Sequence, residues 1–342
     1  HRNIQIDKVC IRNADKARNL NRSYFTIDRN VILKNINHDF IVELTDDADS
    51  ALEIVRSALT KGKNAVSANK KMIAENLEEL LRIQFENDAS FLYDASCAGS
   101  IPVIRILEDY YQNEKIISVR GILNGTSNYI LSNMNINKLS FDEALKNAQE
   151  LGFAETDPTS DISGLDTKYK NCIICLHSNG IFLKPENVIN LGIKSIKKTD
   201  IDFAEKIDSR IKLVSYIYEK NDVFTTFVIP TFIQKNDNLY NVDQENNGLE
   251  IEGEFSSKQV YTGKGAGSFP TGMAVLSDIA SLVNGYKYNY LKVKKNINEN
   301  CEYKSPDYNF DLKVYIGFKN EKDIAKLNIH TISEKDLISE NK

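Results

Sequence analysis

No apolar run among the 342 residues approaches bilayer length, and no charged-then-apolar leader is read at the start of the chain. Cysteine is sparse. Five, an odd number at irregular spacing, argue against a disulfide framework and for reduced thiols in a cytoplasmic protein. Neither sign of charge dominates: 43 basic against 48 acidic residues give a net charge of −5 and a pI near 5.6. That balance gives no reason to expect nucleic acid or an anionic membrane as partner. There is no internal repeat, no low-complexity tract, no Gly-x-Ser-x-Gly elbow and no Ser–His–Asp set. The Gly263–Gly267 turn is not a Walker loop, because no Lys-Ser or Lys-Thr pair follows at the required spacing. Asp157, Asp161 and Asp166 miss the alternation of a calcium loop. Cys172-Ile-Ile-Cys175 lacks a partner pair and lies on an apolar helical stretch, so it reads as core, and His177 beside it as structural.

What remains is an ordinary globular composition, 42% hydrophobic and 27% charged, in a chain long enough for two domains. The first hundred residues alternate β-rich runs with amphipathic stretches. Strands are expected over 3–11, 39–44, 64–67 and 90–95, and helices over 49–61 and 73–85. Leu52, Val55 and Leu59 share one face of the first helix. Such alternation means an α/β fold, a Rossmann-like parallel sheet wound by right-handed crossovers. Beyond it, Asn124-Gly125 marks a turn between a strand-like 117–123 and a helical 127–134. Ser140-Phe-Asp-Glu143 is a capping box, and Gly152 stands where its helix ends. β-rich runs at 224–233 and 249–261 flank a polar turn, and Gly263–Gly267 opens a helix over 271–284. This second part reads as α+β.

The segment 150–170 carries the densest chemistry. Glu155, Asp157, Asp161 and Asp166 converge with Lys168 and Lys170 on one loop and the helix after it. Ser163 reads as the N-cap of that helix, with Asp166 in the capping-box position and Lys170 one turn further along the same face. A lysine held between carboxylates against an apolar back can hold a proton and release it. A capped helix with a solvated salt bridge has the same spacing. Ser67-Ala-Asn-Lys70 follows a strand directly and so falls at the carboxyl edge of the parallel sheet, where ligands bind in open α/β sheets. Lys70 there faces a ligand or opens a helix toward water. Gly121–Tyr129 offers small residues and free N–H groups at a helix start, a place for an anionic or carbonyl group or a simple tight turn.

Taken in order, these segments resemble homoserine dehydrogenase from about residue 3 to residue 290. The resemblance rests on Ala68-Asn-Lys-Lys71, Tyr93-Asp-Ala-Ser-Cys-Ala-Gly-Ser-Ile-Pro102, Gly121–Leu131, Leu151–Lys170 and Tyr261–Asp278. It implies the reversible NAD(P)H-dependent reduction of aspartate semialdehyde to homoserine, on the threonine, methionine and isoleucine branch of aspartate metabolism. Lys170 is then the proton donor and Lys70 a second catalytic lysine near substrate and nicotinamide. Glu155 and Asp166 hold the substrate's ammonium group, Asp161 joins that network, and Thr126 touches substrate. The cofactor falls to Lys70, Arg12, Thr45, Asn69, Gly152, Glu155 and Gly267, with NADP favoured over NAD because Arg12 and Lys16 lie where a 2′-phosphate would sit. The resemblance also implies a sodium ion held by Asp94, Cys97, Gly99 and Ile101, largely through carbonyls, and a homodimer formed through the middle domain.

The expected domains are a nucleotide-binding domain over 1–98 and 262–295, a substrate and dimerisation domain over 99–261, and a tail over 296–342. In the tail, 310–318 and 323–329 read as the opening strand and helix of a truncated ACT-like segment. The resemblance places a first strand and a Gly-x-Gly-x-x-Gly turn ahead of His1, so the chain is read as a fragment. Asp46-Asp47 stands where the family has a glycine pair, and Asp94 where it has glutamate. An inactive relative kept as a binding or oligomerisation module is the alternative, and a dehydrogenase acting on another amino-acid-derived aldehyde is a further one.

Overall fold

The computed structural model describes residues 4–35, 37–220, 223–265, 267–298, 306–307 and 314–315. The ACT-like reading over 310–318 and 323–329 lies outside the described residues. Near the start, β1 (Val9–Cys10) pairs in parallel with β2 (Phe25–Thr26). The strand expected over 3–11 thus shrinks to its last two paired residues, since Ile4 and Ile6 are exposed and find no apolar face to cover them.

β3 (Phe40–Glu43), β4 (Asn64–Ser67) and β5 (Phe91–Leu92) form a parallel three-stranded sheet, in the order β3-β4-β5. Parallel neighbours need crossovers, and these are helices. Ala48–Thr60 starts where Asp47 accepts from the Ser50 N–H at 2.9 Å, and Lys70–Glu86 where Asn69 accepts from the Met72 N–H at 3.0 Å. Val55, Leu59, Met72 and Ile73 are wholly buried against the sheet. Each such side chain contributes roughly 1.5–3 kcal/mol.

The larger sheet runs β11-β10-β6-β8-β9-β7, with strands β6 (Ile116–Ile122), β7 (Ile189–Asn190), β8 (Ser209–Lys220), β9 (Val223–Gln234), β10 (Asn246–Gly253) and β11 (Ser257–Lys264). All neighbours are antiparallel except β7 and β9. Helices Gly125–Ile136 and Leu165–Asn179 pack on it. Phe141–Glu150 begins with the capping box expected at Ser140, and Gly152 follows its end at φ 76°.

One expectation is corrected. The lysine helix begins at Leu165 behind Gly164, not at a Ser163 cap. Ser163 instead closes the short turn Thr159–Ile162. The chain reverses at Gly164 with φ 81°, a left-handed conformation that glycine adopts without the steric cost another residue would meet. Ser163 Oγ is buried without a partner among the described residues, and Asp166 is turned inward rather than back on the backbone.

Candidate active site

Asp166 is the hub. It sits in the first turn of the lysine helix, 2% exposed, and both its oxygens are taken. Lys70 Nζ lies 2.6 Å from Oδ1, Lys170 Nζ 2.7 Å from Oδ2, and Asn124 Nδ2 donates to Oδ2 at 2.8 Å. Burial alone would push the Asp166 carboxyl up. The two ammoniums outweigh it and hold the group well below the usual carboxylate range. Lys70 is pushed up in turn, chiefly by Asp166 and against its own desolvation, with smaller help from Asp161 and Glu155. Lys70 opens the helix that follows β4 of the parallel sheet and Lys170 lies on a helix packed on the larger sheet, so this carboxylate joins two helices.

Lys170 is 6% exposed, and its ammonium also donates to the Leu123 carbonyl at 2.6 Å. Among the described residues two of its three N–H donors are therefore spent, and one remains. Asn124 was not singled out from the sequence, yet it organises this corner. Its Oδ1 caps the helix Gly125–Ile136 by accepting from Ser127 N at 2.7 Å, while its Nδ2 reaches Asp161 at 2.7 Å as well as Asp166. Its place before Gly125 was the available signal. Asp161 is pushed up by burial and by Asp166, against the Asn124 bond.

The convergence of the acidic segment is narrower than the spacing suggested. Asp157 is exposed and caps Thr159 at 3.1 Å, while Lys168 points to the Val188 carbonyl at 3.5 Å. Glu155 is exposed on the loop after Gly152, and Thr126 Oγ donates to the Phe153 carbonyl at 2.5 Å on the same side.

The carboxyl edge of the small sheet gathers a second group. Glu43, 2% exposed, accepts from Ser67 Oγ at 2.6 Å and Thr45 Oγ at 2.7 Å, and Asn69 Nδ2 donates to the Thr45 carbonyl at 3.0 Å. Glu43 was also missed, being a lone acid that ends an apolar strand. Lys70, 40% exposed at its side chain, opens the helix beside them. Hydroxyls, an amide and one ammonium fit the uncharged carboxamide and sugar groups of a nicotinamide nucleotide. Arg12 is further out, paired with Asp46 at 2.7 Å with both side chains largely in water. Gly267 takes φ 116° where the helix Ser268–Val283 begins.

Asp94 is buried, accepts from Ile104 N at 2.8 Å and faces Asp278. Burial, then Asp278, pushes it up to about 7; burial likewise pushes Asp278 up to about 6. The cation beside this pair is Arg105, whose guanidinium lies 3.6 Å from Asp278 Oδ1. Burial pushes the Cys97 thiol up to about 12, which leaves only its carbonyl as a ligand. Gly99, at φ +63°, lies so close to β11 that a Cβ would stand 2.3 Å from the Lys264 carbonyl oxygen. No group of three or more His, Cys, Asp or Glu suited to a metal occurs among the described residues. Nor is any helix among them long and apolar enough to cross a membrane.

A family model described as homoserine dehydrogenase matches residues 102–280, and one described as the homoserine dehydrogenase NAD binding domain matches residues 1–94. The chain is 34% identical over 288 residues to homoserine dehydrogenase of Lactococcus lactis, covering 83% of this chain and 67% of that one. Against the Helicobacter pylori enzyme it is 36% identical over 282 residues, covering 82% and 66%. The chain thus spans about two thirds of the length of these relatives. A crystal structure of homoserine dehydrogenase from Thiobacillus denitrificans superposes with a TM-score of 0.78 at 31% identity, covering 88% of this chain and 68% of that one. The S. aureus enzyme at pH 8.5 gives 0.71 at 34% identity, covering 82% and 68%.

Proposed function

The chain belongs to the homoserine dehydrogenase family, and on that premise we propose that it catalyses the reversible NAD(P)H-dependent reduction of L-aspartate 4-semialdehyde to L-homoserine with Lys170 as proton donor. The observation that carries this is a buried ammonium with one N–H to spare, anchored on its other side by Asp166 and the Leu123 carbonyl. A bound reduced nicotinamide supplies the hydride. As charge develops on the carbonyl oxygen, the Lys170 ammonium stabilises it and passes it one proton, giving the alcohol and a neutral amine. In the reverse direction the same amine takes the hydroxyl proton. Lys70, half in water and bonded to the other oxygen of Asp166, restores the charge balance of the pair after transfer.

Asp166 holds the two lysines, and, since a carboxylate oxygen accepts more than one hydrogen bond, it is assigned together with Glu155 to the substrate's ammonium, with Asp161 behind them. Thr126 borders the same space. The nicotinamide side is assigned to Thr45, Asn69, Lys70, Gly152, Glu155 and Gly267. Arg12 is assigned to a 2′-phosphate, which favours NADP and would have to replace Asp46 as its partner. A sodium ion at Asp94 and the carbonyls of Cys97, Gly99 and Ile101, a homodimer, and a cytoplasmic setting for the free thiols complete the reading.

Lys170→Met tests it. Turnover is expected to fall by about 10²–10⁴, the range that general-acid help supplies, while cofactor affinity measured by calorimetry stays within about twofold. Full turnover in that variant sinks the assignment.

A further inference from the structure

The Leu123 carbonyl has a second donor. Asn247, wholly buried near the start of β10, places its Nδ2 3.3 Å from the same oxygen that accepts from Lys170. The other half of its amide is out of place for a packing residue. Asn247 Oδ1 is buried with no hydrogen-bond partner among the described residues. A buried acceptor left unpaired is a cost that an apolar side chain of similar size would avoid. That oxygen lies against the glycine turn, where a Cβ on Gly265 would stand 2.2 Å away. The backbone on both sides is equally close: Gly265 N donates to the Glu245 carbonyl at 3.3 Å, and a Cβ on Gly125 would come within 2.8 Å of that carbonyl oxygen.

We propose that Asn247 is a positioning residue for Lys170. Its amide N–H fixes the Leu123 carbonyl, and that carbonyl fixes the ammonium. Its carboxamide oxygen is wedged against Gly265, so Gly265 and the lysine are held in one arrangement. Without the second donor the carbonyl turns more freely, and the spare N–H of Lys170 is aimed less well at a substrate oxygen. Misaiming lowers the rate of proton transfer more than it weakens substrate binding. The inference rests on Lys170 as proton donor, and the test separates the two.

Asn247→Leu and Asn247→Ala both remove the donor, the first with little change in size, so a folding defect in one leaves the other. Each is expected to lower kcat about tenfold with KM for homoserine within about twofold. In a Lys170→Met background the same substitutions should cost nothing further, because residues that act as a unit are not additive. Gly265→Ala should also lower kcat by pushing the amide aside, and should cost nothing once Asn247 is Ala. Full activity of Lys170→Met overturns the reading of Lys170 and this inference with it. If Lys170→Met is impaired but the Asn247 losses add to it in full, only the inference falls; unchanged kcat in Asn247→Leu overturns it too.

Discussion

Between Lys70 and Lys170, Asp166 is held below the ordinary carboxylate range, and the sign of that shift decides how the site responds to acid. Its folded value lies below the ordinary 3.8, so the stability it contributes is fully present above about pH 4 and is lost as pH falls through the acid range. Asp166→Asn removes that contribution and leaves two ammoniums without their carboxylate, a change of about 3–5 kcal/mol for a buried pair. Melting temperature followed from about pH 6 down to about pH 3 should therefore drop less steeply in the variant, from a lower start. Parallel curves would mean that Asp166 is not the group that titrates. The Asp166–Lys170 pair was legible in the sequence because residues four apart share a helix face whatever the tertiary fold does. Asn124 was not. Its bonds to Asp161 and Asp166 depend on how a turn 37 residues and more upstream is docked, and no spacing encodes that.

The lysine helix is held at its other end by a buried polar chain. His177 Nδ1 lies 2.6 Å from Glu108 Oε1, and its Nε2 lies 3.0 Å from the Tyr93 hydroxyl, which meets Tyr290 at 3.2 Å. Glu108 belongs to a π-helical turn, Ile106–Tyr110, and also accepts from Tyr290 N at 2.9 Å. Burial would push Glu108 up, but the His177 bond and two backbone N–H groups draw it down, so the acid is charged and depends on its partners. His177→Ala should cost about 1.5–3 kcal/mol in urea denaturation by removing one hydrogen bond to a buried charged acid; a loss under about 0.5 kcal/mol would refute the bond. The structural role read for His177 from its apolar surroundings holds, though the network itself was invisible to a pattern of apolar positions. β8 escaped the sequence reading for a related reason. Arg210, Lys212 and Ser215 make Ser209–Lys220 look like a surface segment, yet Lys212 is 1% exposed and donates to Asn128 at 3.1 Å, Val242 O at 2.6 Å and Asp243 at 2.8 Å. A buried lysine with partners from distant turns defeats periodicity, whereas β4, with Ala65 and Val66 at its centre between two helical stretches, matched its expected span residue for residue.

At the scale of the whole molecule, a single carboxylate ties lysines from two helices, one for each half of the site, and this makes the two halves energetically one. Lys70 opens a helix at the nucleotide edge, and Lys170 stands beside the loop that carries Glu155 and Asp161. A ligand that draws either ammonium toward itself changes what Asp166 offers the other. Cofactor and homoserine should therefore bind with positive coupling, and by linkage each should raise the other's affinity by the same factor, about 5- to 150-fold for couplings of ordinary size. Calorimetric titration of NADP⁺ with and without homoserine, and of homoserine with and without NADP⁺, measures both arms. Asp166→Asn should bring the two arms to unity together while leaving each ligand able to bind alone. Coupling that survives in that variant would place the connection elsewhere, and Lys70 and Lys170 would then act as two separate cations that happen to share an acid.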